Sequence, residues 1–251
     1  MSEKRGDIRM DAAERTNCGR ERDSSIDVRL VQAAARIIEE EGFAKATVEA
    51  VVRAAETSKS AFYRRYASVV DLIPAIVQLK NSDGPLADSG SLDGDLWAFE
   101  KRQAGFFADV LVQRCMNAWL MYLSDHPGET ATFSELFLDE RRDSLEKIVL
   151  RAARRGEIFG LTEQMPREIS ELLIEVLMGP FFLRLLEPGL GQLNELEIGR
   201  TVRIASATVR HALAYPYSMS GKDVAEPGAW AGRAPAVDGS HAMPSRWVAN
   251  R

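Results

Sequence analysis

The sequence has little with which to do covalent chemistry. Its 251 residues hold two cysteines, Cys18 and Cys115, and three widely separated histidines, His126, His211 and His241. Two thiols are too few for a disulfide framework or a structural zinc site, so no metal and no cofactor is expected. Phosphate-cradling glycine loops, the Gly-x-Ser-x-Gly elbow and the His-Glu-x-x-His pair are all absent, and with them the grounds for an enzyme. No apolar run approaches the ~20 residues of a membrane span, and the opening residues MSEKRGDIRMD lack the apolar stretch of a signal peptide. A soluble, cytoplasmic protein without membrane contact is expected. Acids outnumber bases 37 to 32, for a net charge of −5. That balance excludes a surface that binds polyanions all over and leaves room only for a local basic patch.

What is present is an ordinary globular composition, 45% apolar and 27% charged, in a chain long enough for one large domain or two modest ones. Residues 1–23 carry six bases and six acids but hardly any large apolar side chain, which reads as a flexible tail. Residues 216–251, rich in Pro, Gly, Ser and Ala without a period, read as a second. Between them, Asn81–Asp95 (NSDGPLADSGSLDGD) is a loop by composition. It separates a small unit at 24–80 from a larger one at 93–215.

Both units have helical periodicity and no alternating strand pattern, so the fold class is all-α. Val31, Ala34, Ala35 and Ile38 form one stripe that ends at Gly42. Val48, Val51, Val52 and Ala55 form the next, with Thr47 as its N-cap and Glu49 in its first turn. Leu72, Ile73 and Ile76 follow. Ile169, Leu172, Leu173 and Val176 mark a long helix at about 166–187, kinked by Pro180. Ile198, Val202, Ala205, Val209 and Ala212 mark another at about 193–214.

Thr47–Tyr66 (TVEAVVRAAETSKSAFYRRY) is the informative stretch. A short helix ends near Ala55, a tight turn passes through Glu56–Thr57, and Ser58 caps a second short helix that starts at Lys59. Two such helices form a helix-turn-helix, whose second helix enters the DNA major groove. Lys59–Ser68 holds Lys59, Arg64 and Arg65 and no acid, a positive surface on an acidic protein. Ser58, Ser60, Tyr63 and Tyr66 add hydroxyls suited to phosphate oxygens. Thr47 and the amides it precedes suit a phosphate as well, and Phe62 is a core residue.

With the preceding helix, ending in EEEGF (Glu39–Phe43), with Ala46–Val48 and with Ser58–Tyr66, this region resembles the TetR family of transcriptional regulators over residues 27–76. Arg151–Ile158 and Gly179–Leu186 resemble the C-terminal domain of one TetR subgroup. The resemblance implies a three-helix DNA-binding domain followed by a helical domain for effector binding and dimerisation. It implies a double-stranded DNA operator as partner, a homodimer through the last two helices, and repression relieved by a small effector. Lys59, Ser60 and Ala61 fall at the family's base-reading positions and Tyr63 at a phosphate-contacting one; Lys suits guanine O6/N7 and the Ala methyl suits a thymine methyl. Two departures stand out: Glu56 occupies the turn where the family has Gly, and Val69 the place where it often has Lys. Both weaken DNA binding, with Arg64, Arg65 or the arginines of the N-terminal tail to compensate, and both favour the alternative of a helix-turn-helix scaffold that acts through protein contacts.

Eight of the 19 aromatics lie between Trp97 and Phe137. Aromatics at helical spacing are usually core. The family's effector cavity turns Trp97, Phe106, Phe107, Trp119, Tyr122 and Phe137, with Cys115 and Met116, into candidate ligand-binding residues for an apolar or aromatic effector. Arg114, Asn117 and His126 are the polar groups expected to orient it.

Overall fold

A computed structural model describes residues 24–81 and 84–214. The two expected tails, with Cys18, His241 and the arginines of the N-terminal segment, lie outside the described residues. Within them the chain is all-helical. Helix α1 (Ser24–Glu41), α2 (Val48–Ala54) and α3 (Lys59–Tyr63) form the small unit, and α4 (Ile73–Gln78) leads out of it. The larger unit comprises α5 (Leu92–Ala108), α6 (Val110–Asp125), the short α7 (Thr130–Phe133), α8 (Asp139–Arg154), α9 (Met165–Leu186) and α10 (Glu195–Ala214).

The expected stripes of α1 and α4 are buried, and so are those of α2 and α10 except for half-buried Val48 and Ala212. Ala34, Ile38, Val51, Phe62, Leu72, Ile73 and Ile76 make one continuous apolar core under α1–α4. On α9 the buried face is Ile169, Leu173, Ile174, Leu177, Met178 and Phe181, while Leu172 and Val176 are only half-buried. Outside the strip formed by Arg167, Glu168, Glu171 and Glu175 the helix is mostly apolar, so its period does not say which part of that wide apolar surface is buried. Pro180 sits inside α9 without interrupting it.

The expected loop at 81–95 ends sooner. Leu92–Asp95 is the first turn of α5: the Ser91 hydroxyl accepts from the Gly94 N–H at 3.1 Å, and Asp93 and Asp95 complement the helix dipole. Fully buried Asp95 also holds the preceding segment onto α8. It accepts from the N–H and hydroxyl of Ser89, both at 2.8 Å, and from Arg155 at 3.1 Å. Burial opposes its charge, but these hydrogen bonds outweigh burial and hold the carboxyl below its usual range.

Helix α6 is the hinge pin between the units. Asp109 caps it, accepting from Leu111 and Val112 at 2.8 and 3.2 Å. Lys80, at the end of α4, reaches that same carboxylate at 2.9 Å and Glu39 of α1 at 3.4 Å. Arg114 donates to the Ile38 and Glu39 carbonyls at 2.7 and 2.8 Å, closing the C-terminal end of α1. Arg114, expected at the effector, is thus a joint between the units.

The turn from α2 to α3 is a Schellman closure: Glu56 N–H donates to Arg53 at 3.3 Å and Thr57 N–H to Val52 at 2.9 Å. It needs a left-handed residue, and Glu56 stands there at φ 50°, the one non-glycine with positive φ among the described residues. The same closure after α8 uses Gly156 at φ 75°. Glu56→Gly should therefore raise stability by about 1 kcal/mol, or ~2–4 °C in Tm for a chain of this size. Thermal unfolding followed by circular dichroism checks this; an unchanged or lower Tm refutes the strain.

Candidate nucleic-acid interface and effector cleft

Two side-chain caps set the start of each short helix. The Thr47 hydroxyl accepts from Ala50 N–H at 3.2 Å and the Ser58 hydroxyl from Ala61 N–H at 3.1 Å, with both cap residues in extended backbone. Around them Thr47, Ser58, Lys59, Ser60, Tyr63 and Arg64 are exposed, and Tyr63 shows 57% of its surface. Ser58 and Ser60 share a hydroxyl hydrogen bond of 2.9 Å. These six groups form one polar face that offers hydroxyl, ammonium and guanidinium donors.

Two of the expected DNA-facing residues point elsewhere. Ala61 is buried at 4% exposure beside Phe62, so its methyl packs the domain instead of facing a base. The Arg65 side chain is 10% exposed, pairs with Asp27 of α1 at 2.9 Å and donates to the Ala61 carbonyl at 3.1 Å. It clamps the end of α3 to the start of α1. Tyr66 bonds the same Asp27, and burial pushes its phenol pKa up. Val69, at 9% exposure, joins the core under α4, which accounts for an apolar residue at that position.

One participant was not legible as such. Glu49, read only as a favourable first-turn acid, hydrogen-bonds Lys59 through Oε1 and Nζ, across the helix-turn-helix and ten residues along the chain. The bond lowers the carboxyl pKa and raises that of the ammonium, so both stay charged at neutral pH. Nothing periodic marks such a pair in sequence.

In the larger unit a cleft of about 270 Å³ opens between the end of α5, the start of α6, the end of α9 and the segment after it. Phe107 and Phe181 form a stacked wall, with ring centroids 4.9 Å apart at 10°. Gln113, Asn117, Arg184 and Gln192 supply the polar side chains of its lining. Arg184 is steadied by Glu197 at 2.8 Å, and Glu197 in turn forms a reciprocal capping pair with Asn194 at the start of α10.

Of the expected ligand-binding residues, Phe107 lines this cleft, and so does Asn117. The others lie behind or away from it. Phe106 and Phe137 pack with Phe107 in a ring cluster, Trp119 meets Phe133 edge-on at 4.9 Å, and Cys115 and Met116 are fully buried. Burial pushes the Cys115 thiol up to about 12, which makes it unreactive at neutral pH. Trp97 packs at Gly199 of α10. Tyr122 stacks on His126 at 4.0 Å at the exposed end of α6. The sequence located the aromatics; contacts between distant helices decided which of them became core.

Residues 30–76 match the model of bacterial regulatory proteins of the tetR family, and residues 86–205 that of the tetracyclin repressor-like C-terminal domain. An uncharacterized HTH-type transcriptional regulator of Mycobacterium bovis is 26% identical over 166 residues, which is 64% of this chain and 77% of that protein. Counterparts in Mycobacterium tuberculosis match to the same extent. In fold the chain is similar to the crystal structure of the TetR family transcription regulator SCO0332, with a TM-score of 0.56 at 18% identity over 72% of this chain and 97% of that one. It is also similar to a Mesorhizobium loti protein assigned to the same family, with a TM-score of 0.50 at 15% identity over 76% of this chain and 96% of that one.

Besides Asp95 and Cys115, the larger unit buries Arg141 and Glu100. Arg141 donates to Gln103 at 2.9 Å and to the Phe137 carbonyl at 2.8 Å, and its guanidinium lies 3.8 Å from the Phe137 ring centre. Burial lowers it to about 10, still charged at neutral pH. Glu100 on α5 is fully buried with neither oxygen hydrogen-bonded, and burial raises it to about 8. Below its ordinary value of 4.5 both folded and unfolded chains hold the proton. From there to about 8 only the folded chain does, so stability falls as pH rises; above that the penalty is constant. Glu100→Gln should remove this slope, about 1.4 kcal/mol per pH unit. Denaturant unfolding of both proteins across that interval checks it; a pH-independent difference between them refutes it.

Proposed function

The chain belongs to the TetR family of DNA-binding transcriptional regulators, and we propose that it is a homodimeric repressor released from a near-palindromic operator by a small apolar or aromatic effector. The observation that carries this reading is the joint at α6. Gln113 and Asn117 line the cleft, and Arg114 on the same helix holds the carbonyl end of α1, on which α2 packs, with α3 packed in turn on α2. A ligand wedged against the Phe107–Phe181 wall displaces α6, and α6 carries α1 and α4 with it. Effector and DNA then compete through their different affinities for two arrangements of one joint.

The dimer face follows from exposure. Along the outside of α9 half-buried Leu172 and Val176 continue into exposed Leu183 and Leu186, and α10 adds Leu196 and Ile204. Exposed apolar side chains in a row mark a surface that another chain covers. The same two helices from a second copy complete a four-helix bundle. The pair of α3 helices then meets successive major grooves, about 34–36 Å apart, which dictates an operator of near-palindromic form. Tyr63, Thr47 and Arg64 hold phosphates while Lys59 and Ser60 meet base edges. Glu56 and Val69 had favoured a scaffold without DNA binding; the matches to DNA-binding regulators and the burial of Val69 leave that alternative without support.

Binding to duplexes from the region around the chain's own gene, with the cleft variant Asn117→Trp as control, tests the reading as a whole. The wild type should bind and the variant should lose release by ligands while keeping affinity. Tyr63→Phe should cost about 0.5–1.5 kcal/mol per half-site, equally on operator and random DNA, because a phosphate contact carries no base information. A changed base preference in fluorescence anisotropy titrations refutes that role. Leu186→Glu combined with Ile204→Glu should weaken dimerisation about tenfold or more with helix content unchanged. Sedimentation velocity at micromolar concentration shows it as a monomer, and an intact dimer places the interface elsewhere.

A further inference from the structure

Glu49 poses a question that the positive face around it does not answer. A carboxylate on a surface facing phosphates repels them unless it finds a hydrogen-bond donor there. Its side chain is 61% exposed and that of Lys59 is 55% exposed, so the core positions neither; they are set by the first turns of α2 and α3 and by their bond to each other.

The arrangement matches the edge of one base pair. Across the major groove a G·C pair presents guanine N7 and O6, two acceptors, followed by the N4 amino group of cytosine, a donor. The Lys59 ammonium has three N–H donors; one is spent on Glu49 and two remain for N7 and O6. The Glu49 carboxylate takes a hydrogen bond from Lys59 and one from its own backbone N–H, and its four lone-pair sites leave room for the cytosine amino group. We propose that Glu49 and Lys59, joined as they are in the free protein, read a single G·C pair in each half-site, Lys59 on the guanine and Glu49 on the cytosine paired with it.

This rests on the reading of α3 as the helix that enters the major groove. It gives Glu49 a task that Lys59 alone cannot perform. With the base pair reversed, the cytosine amino group faces the ammonium and guanine O6 faces the carboxylate, so like meets like twice. An A·T pair puts an amino group where the ammonium needs an acceptor and the thymine O4 where the carboxylate needs a donor. The ion pair is already assembled before DNA arrives, which reduces the ordering that binding requires.

Selection of duplexes from a randomised pool by the wild type, Lys59→Ala, Glu49→Ala and Glu49→Gln tests this, followed by affinities for the winning duplex and its single-base variants. The wild type should select a fixed G·C pair in each half-site. Glu49→Ala and Lys59→Ala should relax that same position, each losing about tenfold in discrimination. The double variant should discriminate no worse than the poorer single one, since the two groups act as a unit. Glu49→Gln, which keeps an acceptor oxygen, should retain part of the preference for G·C. If Glu49→Ala selects the wild-type motif with full discrimination, or the two alanine variants relax different positions, the joint reading is wrong while DNA binding stands. If the wild type enriches no duplex, the DNA-binding reading and this one fall together.

Discussion

The positions of both functional regions depend on the cationic closure of α1. A helix ends with carbonyls that lack partners and with partial negative charge, and here the guanidinium of Arg114, from a different helix, meets the Glu39 carbonyl and shares that of Ile38 with the Gly42 N–H. Lys80 adds a second bridge, between the cap of α6 and Glu39. Because α2 packs on α1 and α3 on α2, while the cleft is lined by α6, these donors, together with the apolar packing of α1 and α4 on α6, set the direction of α3 relative to the cleft. A joint made of directional hydrogen bonds has few intermediate positions, which suits an element required to choose between two.

Local rules made much of this fold legible. Thr47 and Ser58 cap because their short oxygens reach amides three residues on, and that preference is written in four consecutive residues. The stripes of α1, α2 and α4 follow from period, and Phe62 from the need of a short helix to pack an aromatic into a three-helix domain. What stayed hidden depends on partners far along the chain. Arg65 looked like a DNA contact until Asp27, on another helix, claimed it. Arg114 looked like a ligand-orienting group until the α1 carbonyls did the same. Leu92–Asp95 has the composition of a loop, yet a serine cap and two acids in the first turn make it a helix start. For the cleft, sequence identified the supply of aromatic rings, while Phe181, Gln113 and Arg184 came from helix-helix juxtaposition that no single period records.

Like Asp95, Arg141 is buried in the larger unit with partners, whereas Glu100 is buried without them. Arg141 donates to the carbonyl of Phe137 in the π-helical turn over Ser134–Leu138, and Gln103 and two aromatic faces complete the shell. One turn before Gln103 on α5, Glu100 receives nothing. The bundle therefore keeps a charge where partners surround it and a neutral acid where none do.

The make-up of the exposed face on α2 and α3 has a consequence for ionic conditions. Of its six exposed donors, Thr47, Ser58, Ser60 and Tyr63 are neutral, and only Lys59 and Arg64 are cations, the first shared with a carboxylate. Each phosphate neutralised by a cation releases condensed counterions and contributes about 0.9 to the slope of log affinity against log salt, whereas a phosphate met by a hydroxyl releases none. On the proposed contacts, the neutral donors of this face would hold DNA without steepening the response to salt, while each cation that meets a phosphate, exposed Arg53 of α2 included, would add its own increment to the slope.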